Sequence, residues 1–323
     1  MSIIVSVKNL TRNFDVSKPW LNRVIERLPK RNLTAVSDVS FEVEENSVYA
    51  LVGESGSGKS TIGKMIVGLL NPSEGTVEIE GVNLATETDE DKIETVRSDI
   101  QMVFQDPYAS LNPRWKVRDI IAEPAEAQGE ATEGLSEKLL EQVGLSASDA
   151  NKFPHEFSGG QRQRICVARA LASEPNLIVC DEPTSALDVS VQAQVLNLMS
   201  DLKDEFGLTY LFISHDLTVI QHMADKIGVL YLGRLVEEAA PKDLFENPQH
   251  PYTQMLLEAA PRMDGFGREV EPPEGEIPDP INPPTGCAFH PRCPIAIDKC
   301  SAARPQLEPL NNGRVACFRA GDA

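Results

Sequence analysis

The stretch GESGSGKS at 53–60 decides the fold. It satisfies the pattern of Gly, four residues, then Gly-Lys-Ser. Glycines there let the backbone turn so that successive N–H groups face inward. They form an anion nest at a helix N-terminus, where the helix dipole adds favourable charge. Gly53, Glu54, Ser55, Gly56, Ser57 and Gly58 make the cradle. Lys59 can reach β- and γ-phosphates, Ser60 can ligate Mg²⁺ through its hydroxyl, and Thr61 continues the helix start. The competing reading is a flexible Gly/Ser loop. Context counts against it: SVYALVG at 47–53 is a nearly continuous apolar run, as a buried parallel strand requires, and a helix is expected over 59–70.

Two further apolar runs lie downstream, NLIVCDE at 176–182 and TYLFISHD at 209–216. Helical segments, 191–206 and 217–224, alternate with them, which predicts an α/β fold with helices on the faces of a sheet. Residues 3–10 and 39–43 alternate as strands. Between them PWLNRVIERLPK, 19–30, reads as a helix with Trp20, Leu21, Val24, Ile25 and Leu28 in one stripe. That stripe packs on its own domain or on a membrane partner. Residues of about 108–172 carry helical periodicity and few strand runs, as an inserted helical subdomain does. From about 262 the chain is rich in Pro, Gly and Cys and reads as loop.

The chain has 323 residues, 41 % of them apolar, enough for an ordinary buried core. Its 49 acids against 30 bases give a formal charge of −19. That balance argues against nucleic acid as a partner, since phosphates need a basic surface. Residues 262–323 are nearly neutral, with 9 acids and 7 bases, so the excess lies upstream, with clusters at 87–94 and 119–141. Such clusters form solvated faces or mark a high-salt cytoplasm that screens self-repulsion. The start, MSIIVSVKNL, is strand-like rather than a signal peptide, and no run approaches the roughly 20 apolar residues of a membrane span. A cytosolic chain, or one held at a membrane by a partner, is expected.

LIVCDE at 177–182 supplies what a phosphate cradle lacks. Asp181 can hold Mg²⁺ directly or through water, and Glu182 can polarise an attacking water as general base. FSGGQRQR at 157–164 is harder to explain in a generic nucleotidase. Ser158 and Gln161 form a capping-box pattern, and Gly159 and Gly160 leave the N–H groups of that helix start open. This makes a second anion site, about 100 residues after the first. One γ-phosphate can be gripped by both only if they come from different chains. A head-to-tail dimer with nucleotide at its interface is therefore expected.

These segments together resemble the ATPase subunits of ABC transporters. FSGGQ is similar to the family signature, with Phe157 where Leu is usual. Gln105 in MVFQD resembles the glutamine that senses Mg²⁺ and γ-phosphate and links the helical subdomain to the core. Ser185 to Asp188, SALD, resemble the loop that crosses the dimer interface. His215 in FISHD resembles the switch histidine on γ-phosphate, and Phe14 lies where the family stacks an aromatic on adenine. The resemblance implies a P-loop NTPase fold: an ABC-type core with an antiparallel β subdomain and the inserted helical subdomain. Here that fold spans 1–260, with a Cys-rich extension over 261–323. It implies Glu182, His215 and Gln105 as catalytic residues, and Mg²⁺ held by Ser60, Gln105 and Asp181.

FQDPYASLNPR at 104–114, HPYTQMLLEAAP at 250–261 and GEIPDPINPPTGCAFHPRCP at 275–294 resemble a narrower group, the oligopeptide and dipeptide importers. That resemblance implies a peripheral subunit on the cytoplasmic face. Its partners would be a second, different ATPase subunit forming a heterodimer with this one, two membrane permeases and an external solute-binding protein. A soluble ABC ATPase and an exporter ATPase are the rival readings. Of six cysteines, Cys166 and Cys180 read as small buried hydrophobes. Cys287, Cys293, Cys300 and Cys317 lack the paired Cys-x-x-Cys spacing of zinc knuckles, and loose spacing suits iron–sulfur. The resemblance implies a [4Fe–4S] centre there. Zinc, or no metal, stays open.

Overall fold

The computed structural model describes residues 2–20, 22–23, 29–259 and 278–321. The helix expected over 19–30 lies largely outside them, as do residues 262–277 of the tail. In chain order the first elements are β1 (Ile3–Asp15), β2 (Asn32–Glu44), β3 (Val48–Val52), α1 (Lys59–Ile66), β4 (Glu74–Ile79) and β5 (Val82–Asn83). Then come α2 (Glu90–Ser98), β6 (Ile100–Val103), α3 (Pro107–Ser110), α4 (Val117–Ala127), α5 (Leu135–Gln142) and α6 (Gly159–Leu171). They are followed by β7 (Leu177–Asp181), α7 (Val189–Phe206), β8 (Thr209–Ser214), α8 (Leu217–Met223), β9 (Lys226–Tyr231) and β10 (Arg234–Ala239). The last are α9 (Pro241–Glu246), α10 (Pro251–Ala259), α11 (Asp298–Ala302), β11 (Glu308–Leu310) and β12 (Gly313–Val315). The contacts divide the chain into one unit of 1–5, 43–49 and 78–214, and another of 6–42, 50–77 and 215–323.

In the first unit β6, β7 and β8 lie side by side in parallel, with Ile100 opposite Leu177 and Leu177 opposite Thr209. Every residue of β7 and β8 is buried. Strands covered on both faces must be apolar throughout, which is why these runs are continuous rather than alternating. Parallel neighbours need crossovers. One is α7, which ends at Gly207 with φ 65°. The other spans 104–176 and holds α3 to α6 with no strand. Its helices bury Val117, Ile120 and Ile121 of α4, Leu139 and Leu140 of α5, and Ile165 and Cys166 of α6.

In the second unit β1 and β2 run further than their alternation predicts. The reason is a phase slip in each. Buried positions jump from Val7 to Leu10 and from Val36 to Val39. Asn9 and Asp38 sit at these slips with φ 50° and 58°, and Asn9 Nδ2 donates to Asp38 Oδ1 at 2.8 Å. A slip of this kind erases the period of two that marks a strand. The helix expected over 59–70 stops at Ile66. Gly68 is left-handed at φ 74°, its N–H bonds Met65 O and the N–H of Leu69 bonds Lys64 O, a Schellman ending.

The tail is a second correction. Rather than loop alone, it holds α11 and the β11–β12 hairpin, and β12 pairs antiparallel with β10. Strands of three residues are too short for alternation to reveal them. Two buried carboxylates fix this edge. Glu238, 1 % exposed, accepts Arg314 Nε at 2.6 Å and pairs with Lys226 at 3.3 Å. Glu237 accepts the N–H groups of Gln249 at 2.7 Å and His250 at 2.9 Å, and burial raises its pKa.

Candidate nucleotide site

The phosphate loop is built by β3, whose five residues are all buried, opening into α1. A Cβ on Gly53 would sit 2.1 Å from Leu230 O, and one on Gly58 2.3 Å from Ala35 O, so no side chain fits at either place. Both also carry positive φ, 149° and 102°. Gly58 leaves the α1 start without a side-chain cap, so its first N–H groups are not consumed by a capping side chain. Lys59 is 4 % exposed, and its Nζ donates to Gly53 O at 2.7 Å and Glu54 O at 3.0 Å. The β9–β10 turn supports the loop from below: the Gly233 N–H donates to Ser57 O at 2.9 Å. Ser55 and Gly56 are exposed, and Ser60 and Thr61 half-buried.

In the first unit, Asp181 ends β7 and is 5 % exposed. Glu182 follows at φ 48°, a left-handed conformation that costs a non-glycine residue about 1–3 kcal/mol. Its N–H donates to Ile213 O at 2.9 Å, and Gln105 Nε2 donates to its Oε2 at 2.9 Å. The two residues stand 77 positions apart in the chain, and the fold brings them into contact. In the second unit, His215 is exposed, and Asp216 caps α8 through the Thr218 N–H at 2.9 Å.

The capping box over 158–161 is present in both halves. The Ser158 N–H donates to Gln161 Oε1 at 2.9 Å and the Gln161 N–H to Ser158 Oγ at 3.4 Å. Ser158 and Gln161 are exposed and Phe157 is buried. The two glycines differ from the expectation. Only Gly159 is partly open; Gly160 is buried, and a Cβ there would meet Val191 Cγ1 at 2.2 Å. Gly160 thus serves the close packing of α6 on α7. Asp188 is exposed at the start of α7. Phe14 is half-buried with the Arg12 guanidinium 4.7 Å from its ring centre.

The sequence singles out HPYT as a resemblance without giving it a task; its contacts supply one. His250 Nδ1 accepts the Tyr252 N–H at 3.0 Å and so caps α10. Burial holds this imidazole neutral, its pKa pushed down to about 3. The Tyr252 hydroxyl accepts the Glu54 N–H at 2.9 Å, and Arg292 pairs with the Glu54 carboxylate. Tyr231, Tyr252 and Phe289 pack together, with ring centres 4.5–5.5 Å apart.

Cys166 and Cys180 are fully buried, and burial lifts Cys166 to about 11. Burial foremost, and neighbouring thiols after it, raise Cys287, Cys293 and Cys317; Cys317 feels all three others. The four tail thiols therefore lie within electrostatic reach of one another. Among the described residues, however, no three His, Cys, Asp or Glu side chains are gathered as a metal site. Nor, among those residues, is any helix long and apolar enough to cross a membrane.

The family model for the ABC transporter matches residues 36–185, and that for the oligopeptide/dipeptide transporter C-terminal region matches 236–300. The dipeptide transport ATP-binding protein DppF of Haemophilus influenzae is 49 % identical, over 89 % of this chain and 90 % of its own. The oligopeptide transport ATP-binding protein AppF of Bacillus subtilis is 48 % identical, over 97 % and 96 %. Among solved structures, the ATP-binding cassette MJ0796, as a dimer in a post-hydrolysis state with ADP and Pi, superposes with a TM-score of 0.62 at 29 % identity. It covers 74 % of this chain and 99 % of that one. The cbiO1 subunit from Clostridium perfringens reaches 0.65 at 24 % identity over 76 % and 92 %, a likeness of fold. The relatives carry transport names, which favours the transporter reading over a soluble ABC ATPase. Phosphate loop, signature and HPYT segment thus stand in one chain, and the chain belongs to the ATP-binding subunits of ABC transporters, in their oligopeptide and dipeptide group.

Proposed function

We propose that this chain hydrolyses ATP to power the uptake of di- or oligopeptides. It works as one of two ATPase subunits, in a heterodimer, on the cytoplasmic face of two membrane permeases. An external solute-binding protein delivers the cargo. The observation that carries this reading is the union in one chain of the phosphate loop and the HPYT segment, along nearly the whole length of the relatives.

The loop from Gly53 to Thr61 takes the β- and γ-phosphates, with Lys59 as their cation. Phe14 takes the base. Ser60, Gln105 and Asp181 hold Mg²⁺, which supplies charge neutralisation at the phosphates. Exposed Ser158, half-open Gly159 and Gln161 present the capped start of α6, with buried Gly160 behind them, to the γ-phosphate of the partner subunit. Asp188 lies on the loop facing that partner. Glu182 accepts a proton from the attacking water, while Gln105 and His215 hold the γ-phosphate geometry.

The test is reconstitution. The tagged chain, recovered from membranes with its co-purifying permeases, should drive uptake of a labelled tripeptide into liposomes and require ATP on the chain's own side. Recovery with DNA or ribosomes and no permease overturns the reading.

The tail cysteines carry a further part of it. Cys287, Cys293, Cys300 and Cys317 supply the four thiolates of a [4Fe–4S] cluster, with zinc as the second reading. The resemblance of their spacing to that of the importer group supports this; a metal bound there would tie together a segment poor in core residues. Anaerobically purified chain should absorb near 400 nm and hold about four irons, both lost in Cys287→Ser. One zinc and no colour replaces iron by zinc; neither metal overturns the site.

A further inference from the structure

Glu54 is the second residue of the phosphate loop, so a segment that must accept a polyanion itself carries a carboxylate. Arg292 meets it fork to fork, Nη1 to Oε2 at 2.9 Å and Nη2 to Oε1 at 3.2 Å. The Arg292 side chain is 3 % exposed and that of Glu54 22 %. The guanidinium is fixed from behind: it lies 5.9 Å from the Tyr231 ring centre and 5.8 Å from that of Phe289, and its Nη2 reaches Met255 Sδ at 3.7 Å. With the Tyr252 hydroxyl on the Glu54 N–H, main chain and side chain of this loop residue are both tied down. Arg292 closes a 3-10 turn immediately before Cys293.

We propose that Arg292 is a positioning residue of the nucleotide site. It neutralises and pins the Glu54 carboxylate, so the cysteine-bearing C-terminal segment sets the affinity of the phosphate loop for triphosphate. The proposal rests on the nucleotide reading above. Two physical effects act together. A bare carboxylate beside the nest repels the incoming phosphates, and salt screens that repulsion. A loop held in its binding shape loses less entropy on binding than a free one. A lysine would supply the charge but not the planar fork that fixes both oxygens.

The test is calorimetric titration of the full chain with Mg²⁺ and the non-hydrolysable analogue AMP-PNP. Arg292→Gln should weaken binding by about 10-fold, more at low salt than at high. Adding Glu54→Gln to it should bring affinity back to within about threefold of wild type, since the repelling charge is gone. Tyr252→Phe keeps the aromatic packing, removes one hydrogen bond, and should cost about threefold with no salt dependence. If Arg292→Gln does not fold, Arg292→Lys decides, with an intermediate loss expected. A purely structural role gives no rescue by Glu54→Gln. Wild-type affinity in the arginine variants, or a double variant no better than the single one, overturns the proposal alone. A wild-type chain that binds no AMP-PNP overturns the nucleotide reading and this inference with it.

Discussion

The Glu182→Gln chain is expected to bind ATP as tightly as the wild type and to hydrolyse it about 10²–10⁴-fold more slowly, about 3–5 kcal/mol of added barrier. The swap is isosteric, and the geometry explains why it spares the fold. Gln105 Nε2 donates to Glu182 Oε2, and an amide oxygen can accept that bond as well as a carboxylate oxygen. The main-chain bond to Ile213 does not involve the side chain. The strained φ of 48° is equally accessible to either residue. What disappears is a site able to take a proton from water. Phosphate release at saturating ATP, set beside equilibrium binding, separates the two effects. A variant hydrolysing at the wild-type rate moves the base to another residue.

The chemistry was legible because it is local. Eight residues at 53–60 specify a turn, a nest and a lysine, and the structure shows that Gly53 and Gly58 are forced by carbonyls of distant segments. The same holds for Ser158 and Gln161, whose two bonds follow from a spacing of three. Legibility failed where the signal depends on partners far along the chain. Asn9 and Asp38 meet where the burial phase of two strands shifts, and neither sequence alone announces that its period has slipped. The three-residue strands of the tail exist because β10 offers them an edge and Glu238 a partner for Arg314. Tyr252 and Arg292 were missed for the same reason. They stand 198 and 238 positions from Glu54, and only packing tells which hydroxyl and which guanidinium arrive. A usable hint was present: an acid inside an anion-binding loop demands a neutralising cation somewhere.

Lys59→Ala should abolish tight nucleotide binding rather than slow the chemistry, with a loss of about 2–5 kcal/mol in affinity, roughly 30-fold to several thousand-fold. The ammonium is buried and bonds the carbonyls of Gly53 and Glu54, so it shapes the loop as well as charging it. Alanine removes both functions, leaving two carbonyls short of a donor and the phosphates short of a cation. Desolvation makes the charge count: a cation held in a 4 % exposed position is screened far less than one on the surface. The contrast with Arg292 is instructive. Arg292 acts by cancelling a neighbour's charge, so a second substitution at Glu54 rescues its loss. Lys59 acts on the phosphates, and Glu54→Gln in the Lys59→Ala background should recover little. Titration with AMP-PNP measures both variants on one scale. A Lys59→Ala chain that binds within threefold of wild type would mean that the main-chain nest alone holds the triphosphate.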